Sequence, residues 1–253
     1  MKFIKPLIFP IIILLLWQVL TQFNLVNLYL LPPPSAVFAY LISSIGDGTI
    51  FANIFASISR IFIGFAISFM IAAPLGILYG NIKSLQTYLY PALEFIRHIP
   101  PLAFLSVLIL VFGIGEASKI ALIITAAFFP IFMNCANAVE SVDKKLIEVG
   151  KSFKFSKIKI FWHISRPCAF PVIFTGMQLG MGYSFRALIG AEMLAAASGM
   201  GYMIRNAESF MRSDIVFAGI IAIGILGLII DLLFKAIAKM CFPHLLRSKG
   251  GAK

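Results

Sequence analysis

The sequence predicts an all-α polytopic membrane protein of about six transmembrane helices, and three observations predict it. Apolar residues make up 60% of the 253 and charged residues only 12%, against roughly 45–50% and about 25% in soluble domains. Five apolar runs approach or reach the ~20 residues that a helix needs to cross a ~30 Å hydrocarbon core. Lysines and arginines collect in alternate connecting segments, as topology signals do. A mean hydropathy of +0.99 leaves too little polar surface to cover a globule in water, so lipid is the solvent for much of the surface. At this length one domain, residues 1–253, is expected.

The first run, 6–23, follows Lys2 and Lys5 in the manner of a secretory signal. No small-x-small cleavage site comes after it, so an uncleaved first helix is expected. Pro32-Pro33-Pro34 then stops any helix, and Ser35 is the expected N-cap of the next. Residues 35–45, apolar with a few serines, suit a helix lying at the interface. Ile50, Phe51, Ile54, Phe55 and Ile58 recur at helical spacing and lead straight into the second run, 61–80, with Arg60 near the lipid boundary. Runs 99–115 and 120–139 are the third and fourth crossings. The stretch 169–204 is apolar but holds Arg186, Glu192 and several glycines and prolines. It reads as one full span over 169–191 followed by a bent or re-entrant piece. Run 215–234 is the last crossing.

With the N-terminus inside, sixteen of the 21 lysines and arginines fall in cytoplasmic segments and three (Lys119, Arg205, Arg212) in outer loops. That asymmetry places both termini in the cytoplasm. The net charge of +11 follows the loops rather than an aromatic-interleaved groove, so no nucleic-acid partner is expected. Cys135, Cys168 and Cys241 form no CxxC or Cys/His cluster; all three are expected as buried small hydrophobes, with no metal site.

The longest cytoplasmic loop, 140–168, differs from its surroundings. Residues 143–153 read as one short amphipathic helix. Ser156 caps a second, with Ile158, Ile160, Phe161 and Ile164 apolar between Lys157, Lys159 and His163, and Pro167 ends it. Two short helices with apolar faces need something to cover them. The residues alone leave two readings open: a groove on a partner protein, or anionic headgroups attracting the lysines.

At this loop the sequence resembles a known family. Glu148-Val149-Gly150, then Lys154, then Ile164-Ser165-Arg166-Pro167 has the spacing of the EAA loop of binding-protein-dependent ABC importer permeases, Glu-Ala-Ala, three residues, Gly, nine residues, Ile-x-Leu-Pro. Glu148, Ile164 and Pro167 match; Val149 and Gly150 stand in for the alanines. Lys154 replaces the family glycine and Arg166 its leucine. A left-handed position there costs a lysine about 1 kcal/mol. Leu31-Pro32-Pro33-Pro34-Ser35, Ile99-Pro100-Pro101-Leu102-Ala103, Phe112-Gly113-Ile114-Gly115-Glu116 and the run from Arg186 to Leu194 are similar to permeases for nitrate, taurine and aliphatic sulfonates.

The resemblance implies a type I importer permease (MetI-like) fold and the channel subunit of an importer for a small, anionic solute. It implies a homodimer, two ATPase subunits docked on the EAA loops, and an extracytoplasmic solute-binding protein. The chain itself then binds no cofactor, and ATP is hydrolysed on the partner, so it is not an enzyme. Glu148, Gly150, Lys157, Ile160, Phe161, Trp162, Ile164 and Pro167 are the expected coupling residues. Segment 157–162 is the expected coupling helix, with Phe161 and Trp162 as aromatic anchors and Glu148 accepting a bond from the partner. An intrahelical pair of Glu148 with Lys144 or Lys145 is the alternative for that residue.

Arg186 and Glu192 cost at least ~2.5 kcal/mol each if held at the bilayer centre facing lipid, so they face protein or water. They are about 240° apart on a regular helix and do not pair along one face. Both are candidates for the translocation path; fixing helix packing is the competing reading. A structural pair is expected for Asp231, and an i,i+3 pair for Glu94 with Arg97. Gly150-Lys151-Ser152 is not a P-loop, because the position five residues earlier is Lys145. The three histidines are scattered with no nucleophile in register, so no catalytic site is expected. An ion-coupled secondary transporter is the alternative function, but no paired broken helices or internal symmetry support it.

Overall fold

The computed structural model describes residues 5–241, and within them every regular element is helical. The helices are α1 (Lys5–Gln22), α2 (Pro34–Gly46), α3 (Thr49–Asn81), α4 (Lys83–Arg97), α5 (Leu105–Phe112), α6 (Glu116–Glu140) and α7 (Lys144–Ser152). They continue as α8 (Lys157–Ile160), α9 (Arg166–Ala195), α10 (Met200–Ser209) and α11 (Ser213–Cys241). Among the described residues α3, α6 and α11 are long and apolar enough to cross a membrane. Two bent pairs bring the number of spans to five if each counts as one: α4 with Pro101–Phe112, bent by 86°, and Lys157–Ala195 with α10, bent by 40°. Lys2 and the basic residues beyond Cys241 lie outside the described residues.

Several expectations about element ends change. Helix α3 runs unbroken for 33 residues, as the spacing over 50–58 predicts. Ser35 is not the N-cap of α2. Pro33 is, with an extended backbone and no side-chain cap bond, and Pro34 is the first helical residue. Proline at that position has its φ already set and no N–H to orphan, so the helix starts two residues early. The run 99–115 is not one straight crossing. Pro101–Phe104 forms a 3-10 turn, and α5 is only eight residues long before Gly113 at φ +76°. Eight residues rise about 12 Å, too little to span. Of the cysteines only Cys135 is buried; Cys168 is half-buried and Cys241 exposed.

The chain divides into two compact units. One combines the described part of Met1–Ile58 with Glu192–Leu226. In it the indole N–H of Trp17 donates to the Pro32 carbonyl at 3.0 Å, and the Trp17 ring meets Phe217 at 5.3 Å. The Ser213 hydroxyl donates to the Tyr29 carbonyl. The second unit is Ser59–Ala191 with the described part of Gly227–Lys253. Its core joins Ile61, Phe65 and Ala72 of α3 to Ile123, Ile131 and Cys135 of α6 and to Met181 and Leu188 of α9. A Cβ at Gly80 would lie 2.6 Å from the Ala136 carbonyl oxygen. Helices α3 and α6 therefore meet backbone to backbone, the small-residue packing that lipid favours where no hydrophobic drive pulls helices together.

Candidate functional site

The loop at 140–168 is built from its caps inward. Asp143 accepts the Lys145 N–H at 2.9 Å and starts α7. At the far end the Phe155 N–H donates to the Gly150 carbonyl at 3.0 Å and the Lys154 N–H to the Lys151 carbonyl at 2.8 Å. That is a Schellman ending, whose C′ residue must be left-handed. Lys154 occupies it at φ +55°, so the position where the resembled family carries glycine is left-handed here too. Ser156 accepts the Lys159 N–H at 3.3 Å and caps α8.

Pro167 does not end this second helix. Residues Phe161–Ser165 form a π turn in which the Arg166 N–H donates to the Phe161 carbonyl, and α9 continues from there. Proline lacks an N–H and crowds the carbonyl four residues back. Widening the turn to an i→i+5 pattern absorbs both defects. Segment 157–162 thus runs on through the π turn into α9.

The eight candidate residues of the loop separate into two groups. Gly150 and Ile160 are buried and Ile164 half-buried. A Cβ at Gly150 would lie 2.8 Å from Ile164 Cδ1 and 3.3 Å from Ile160 Cγ1, so these three are where α7 rests on α8 and its continuation. Glu148, Lys157, Phe161, Trp162 and Pro167 are exposed. Phe161 and Trp162 remain 54% and 52% exposed, edge-to-face at 5.8 Å, and the Arg166 guanidinium lies 4.7 Å over the Trp162 ring. Glu148 forms no ion pair with Lys145 among the described residues; the side chain of Lys144 lies outside them.

The charged residues of the apolar helices have definite settings. Glu192 is 1% exposed. Each of its oxygens lies 2.8 Å from the Ser57 hydroxyl, and Oε2 accepts the Gly201 N–H at 3.0 Å. The Ser57 oxygen accepts the Met200 N–H at 2.9 Å, and Asn53 accepts that of Gly199 at 3.0 Å. The carboxylate therefore sits on the N-terminus of α10, where unpaired N–H groups and the helix dipole favour an anion. Gly199, at φ +113°, has no room for a Cβ against that carboxylate. Arg186 is exposed on α9, 5.9 Å from the centre of the Tyr183 ring, and pairs with no carboxylate among the described residues. Asp231 accepts from Gln178 at 2.8 Å and pairs with Lys235 at 2.5 Å, and Glu94 pairs with Arg97 at 2.5 Å; both are pairs the sequence suggests.

One cluster escapes sequence reasoning. Arg60 and Lys119 are 6% and 2% exposed, and both grip Glu116, at 2.5 Å and 2.6 Å. Lys119 is thus a buried residue in the first turn of α6 rather than a loop charge, and Arg60 is buried and ion-paired. The i,i+3 spacing of Glu116 and Lys119 was the available signal.

Residues 72–240 match the family model described as binding-protein-dependent transport system inner membrane component. A taurine transport system permease protein of Escherichia coli, TauC, is 33% identical over 92% of this chain and 86% of its own length. A Bacillus subtilis relative named for aliphatic sulfonates transport, SsuC, is 36% identical over 90% of this chain and 82% of its own. The nitrate import permease protein NrtB of Synechocystis is 32% identical over 96% and 90%. An inward-facing structure of the MetNI methionine ABC transporter superposes with a TM-score of 0.64 at 17% identity, covering 76% of this chain and 96% of that one.

Proposed function

The chain belongs to the family of binding-protein-dependent transport system inner membrane components, and from that premise we propose that it forms the translocation path of an ABC importer for a small anionic solute. The relatives above are named for taurine, aliphatic sulfonates or nitrate, and a solute of that class suits Arg186, which is exposed and pairs with no carboxylate among the described residues. An extracytoplasmic binding protein delivers the solute, two copies of this chain enclose the path, and each copy docks one ATPase subunit. The loop and both termini face the cytoplasm. Glu192, held on α10, sets the backbone beside the path rather than touching solute.

The loop carries this reading. A rigid pair of helices, packed on each other through Gly150, Ile160 and Ile164, holds Phe161 and Trp162 half-exposed at the start of a membrane-spanning helix. Exposed aromatics on a rigid base are what a partner's groove recognises, and α9 transmits the displacement. The alternative, an ion-coupled secondary transporter, leaves this pair of helices without a role.

Reconstituting the chain with its ATPase and binding protein tests the reading. Trp162→Ala is expected to abolish ATP-driven uptake while the chain inserts and dimerises normally. Arg186→Gln is expected to lower anion uptake without disturbing assembly. Undiminished uptake by Trp162→Ala vesicles, or uptake with no ATPase present, would overturn it.

A further inference from the structure

Within the unit Ser59–Ala191, α4, α6 and α9 line an open-mouthed pocket of about 370 Å³, within the roughly 300–1,000 Å³ range of small-molecule sites. Its walls include Phe104, Phe129 and Leu179, and its polar edge is Arg97, Thr125 and Tyr183. Arg97 gives one Nη to Glu94 at 2.5 Å. The guanidinium has five N–H donors, and among the described residues no other acceptor takes them. The Tyr183 hydroxyl has no partner there either, whereas the Thr125 hydroxyl is committed to the Ala121 carbonyl at 2.9 Å. No carboxylate lines the cavity. The Arg186 guanidinium, 5.9 Å from the Tyr183 ring, adds a second positive charge beside it.

We propose that this cavity binds a monoanion carrying a short apolar tail, its head on Arg97 and Tyr183 and its tail against the phenylalanines and Leu179. The proposal deepens the import reading above and rests on it. Within the solute class given there it selects alkanesulfonates. Nitrate has no tail to fill the apolar wall. Taurine would set its ammonium against the phenylalanines and Leu179, on the side away from Glu94, where contact with apolar side chains costs a charge part of its hydration. An anionic phospholipid shares the chemistry of charged head and apolar tail, so the test separates the two sources.

The complex of this chain with its ATPase, in phosphatidylcholine nanodiscs and without binding protein, is titrated with radiolabelled alkanesulfonates of increasing length. Affinity is expected to tighten about fourfold per methylene until the cavity is full. Arg97→Gln should weaken sulfonate binding about tenfold or more and leave an alkanol of equal length unaffected. Tyr183→Phe should weaken it less, and Glu94→Gln, which releases the occupied Arg97 nitrogen, should strengthen it. Absent saturable binding, affinity independent of chain length, or an indifferent Arg97→Gln complex overturns the proposal. Loss of sulfonate binding on adding phosphatidylglycerol, with no ATP-driven uptake of the same sulfonate, would assign the site to lipid and overturn the solute part. ATP-driven uptake of the binding protein's own ligand by the same complex keeps the outcomes distinct: if it persists while sulfonates fail to bind, this inference falls and the import reading stands.

Discussion

Replacing Gly150 tests whether the α7–α8 packing transmits work. A Cβ there would lie 2.8 Å from Ile164 Cδ1 and 3.3 Å from Ile160 Cγ1, inside the ~3.5–4.0 Å optimum of carbon contacts. For alanine the nearest atom is the tip of a flexible side chain. Turning Ile164 off its rotamer costs about 0.5–1.5 kcal/mol, and exchanging glycine for alanine in a helix returns about 1 kcal/mol. Gly150→Ala is therefore expected to be close to neutral. Leucine has nowhere to go, and overpacking of this kind costs about 1–3 kcal/mol, a roughly 5- to 150-fold fall in the docking-ready arrangement. Solute-stimulated ATPase activity in proteoliposomes reads that fall, with pull-down of the ATPase reporting docking separately. Because the clash is with Ile164, Gly150→Leu/Ile164→Ala should recover much of the loss. Normal coupling in Gly150→Leu, or no rescue by the second change, would refute the idea that this contact matters.

Four other outcomes follow from the same structure. Lys154→Gly relieves a left-handed lysine at φ +55° and should stabilise the loop by about 1 kcal/mol, read as slower proteolysis between α7 and α8. Gly199→Ala forces a side chain onto the Glu192 carboxylate at φ +113°; it should lower the detergent-solubilised melting temperature more than Ser57→Ala, and an unchanged melting curve would exclude the clash. Glu116→Ala removes the carboxylate that pairs with two buried cations. Its cost should stay below the ~3–5 kcal/mol of a fully buried pair, because the Glu116 side chain is 58% exposed, and Glu116→Gln should lie between. The Thr49 N–H, 2.9 Å from Asp47 Oδ1, holds that exposed carboxyl below its usual range. Its contribution to the start of α3 is thus present above the unfolded carboxylate pKa and lost as pH falls through the lower folded value; Asp47→Asn should remove that acid-side dependence from hydrogen exchange at 49–52.

What the sequence makes legible here is set by how far a physical cause reaches along the chain. Asp143 and Ser156 cap helices that begin beside them, and the left-handed turn at Lys154 is closed by bonds reaching no further than five residues. Such causes can be read from a short window. Pro167 deceives within the same window, because a proline signals a helix end only until a π turn offers another way to absorb it. Run 99–115 deceives for the opposite reason: hydropathy averages over Pro100-Pro101 and Gly113, which divide it. The charges show the limit most clearly. Arg60 and Lys119 read as a boundary charge and an outer-loop charge, whereas that Glu192 needs company follows from its apolar surroundings alone. Which company does not: Arg60 finds Glu116 at a separation of 56 residues, and Glu192 finds Ser57 at 135. A single chain carries the demand for a partner in its composition but not the partner's address. The same reasoning applies to Arg186. It too sits in an apolar helix, but it is exposed, and no described carboxylate within the chain answers it. An anion in transit past α9 is the answer proposed above, and Arg186→Gln is the change that tests it.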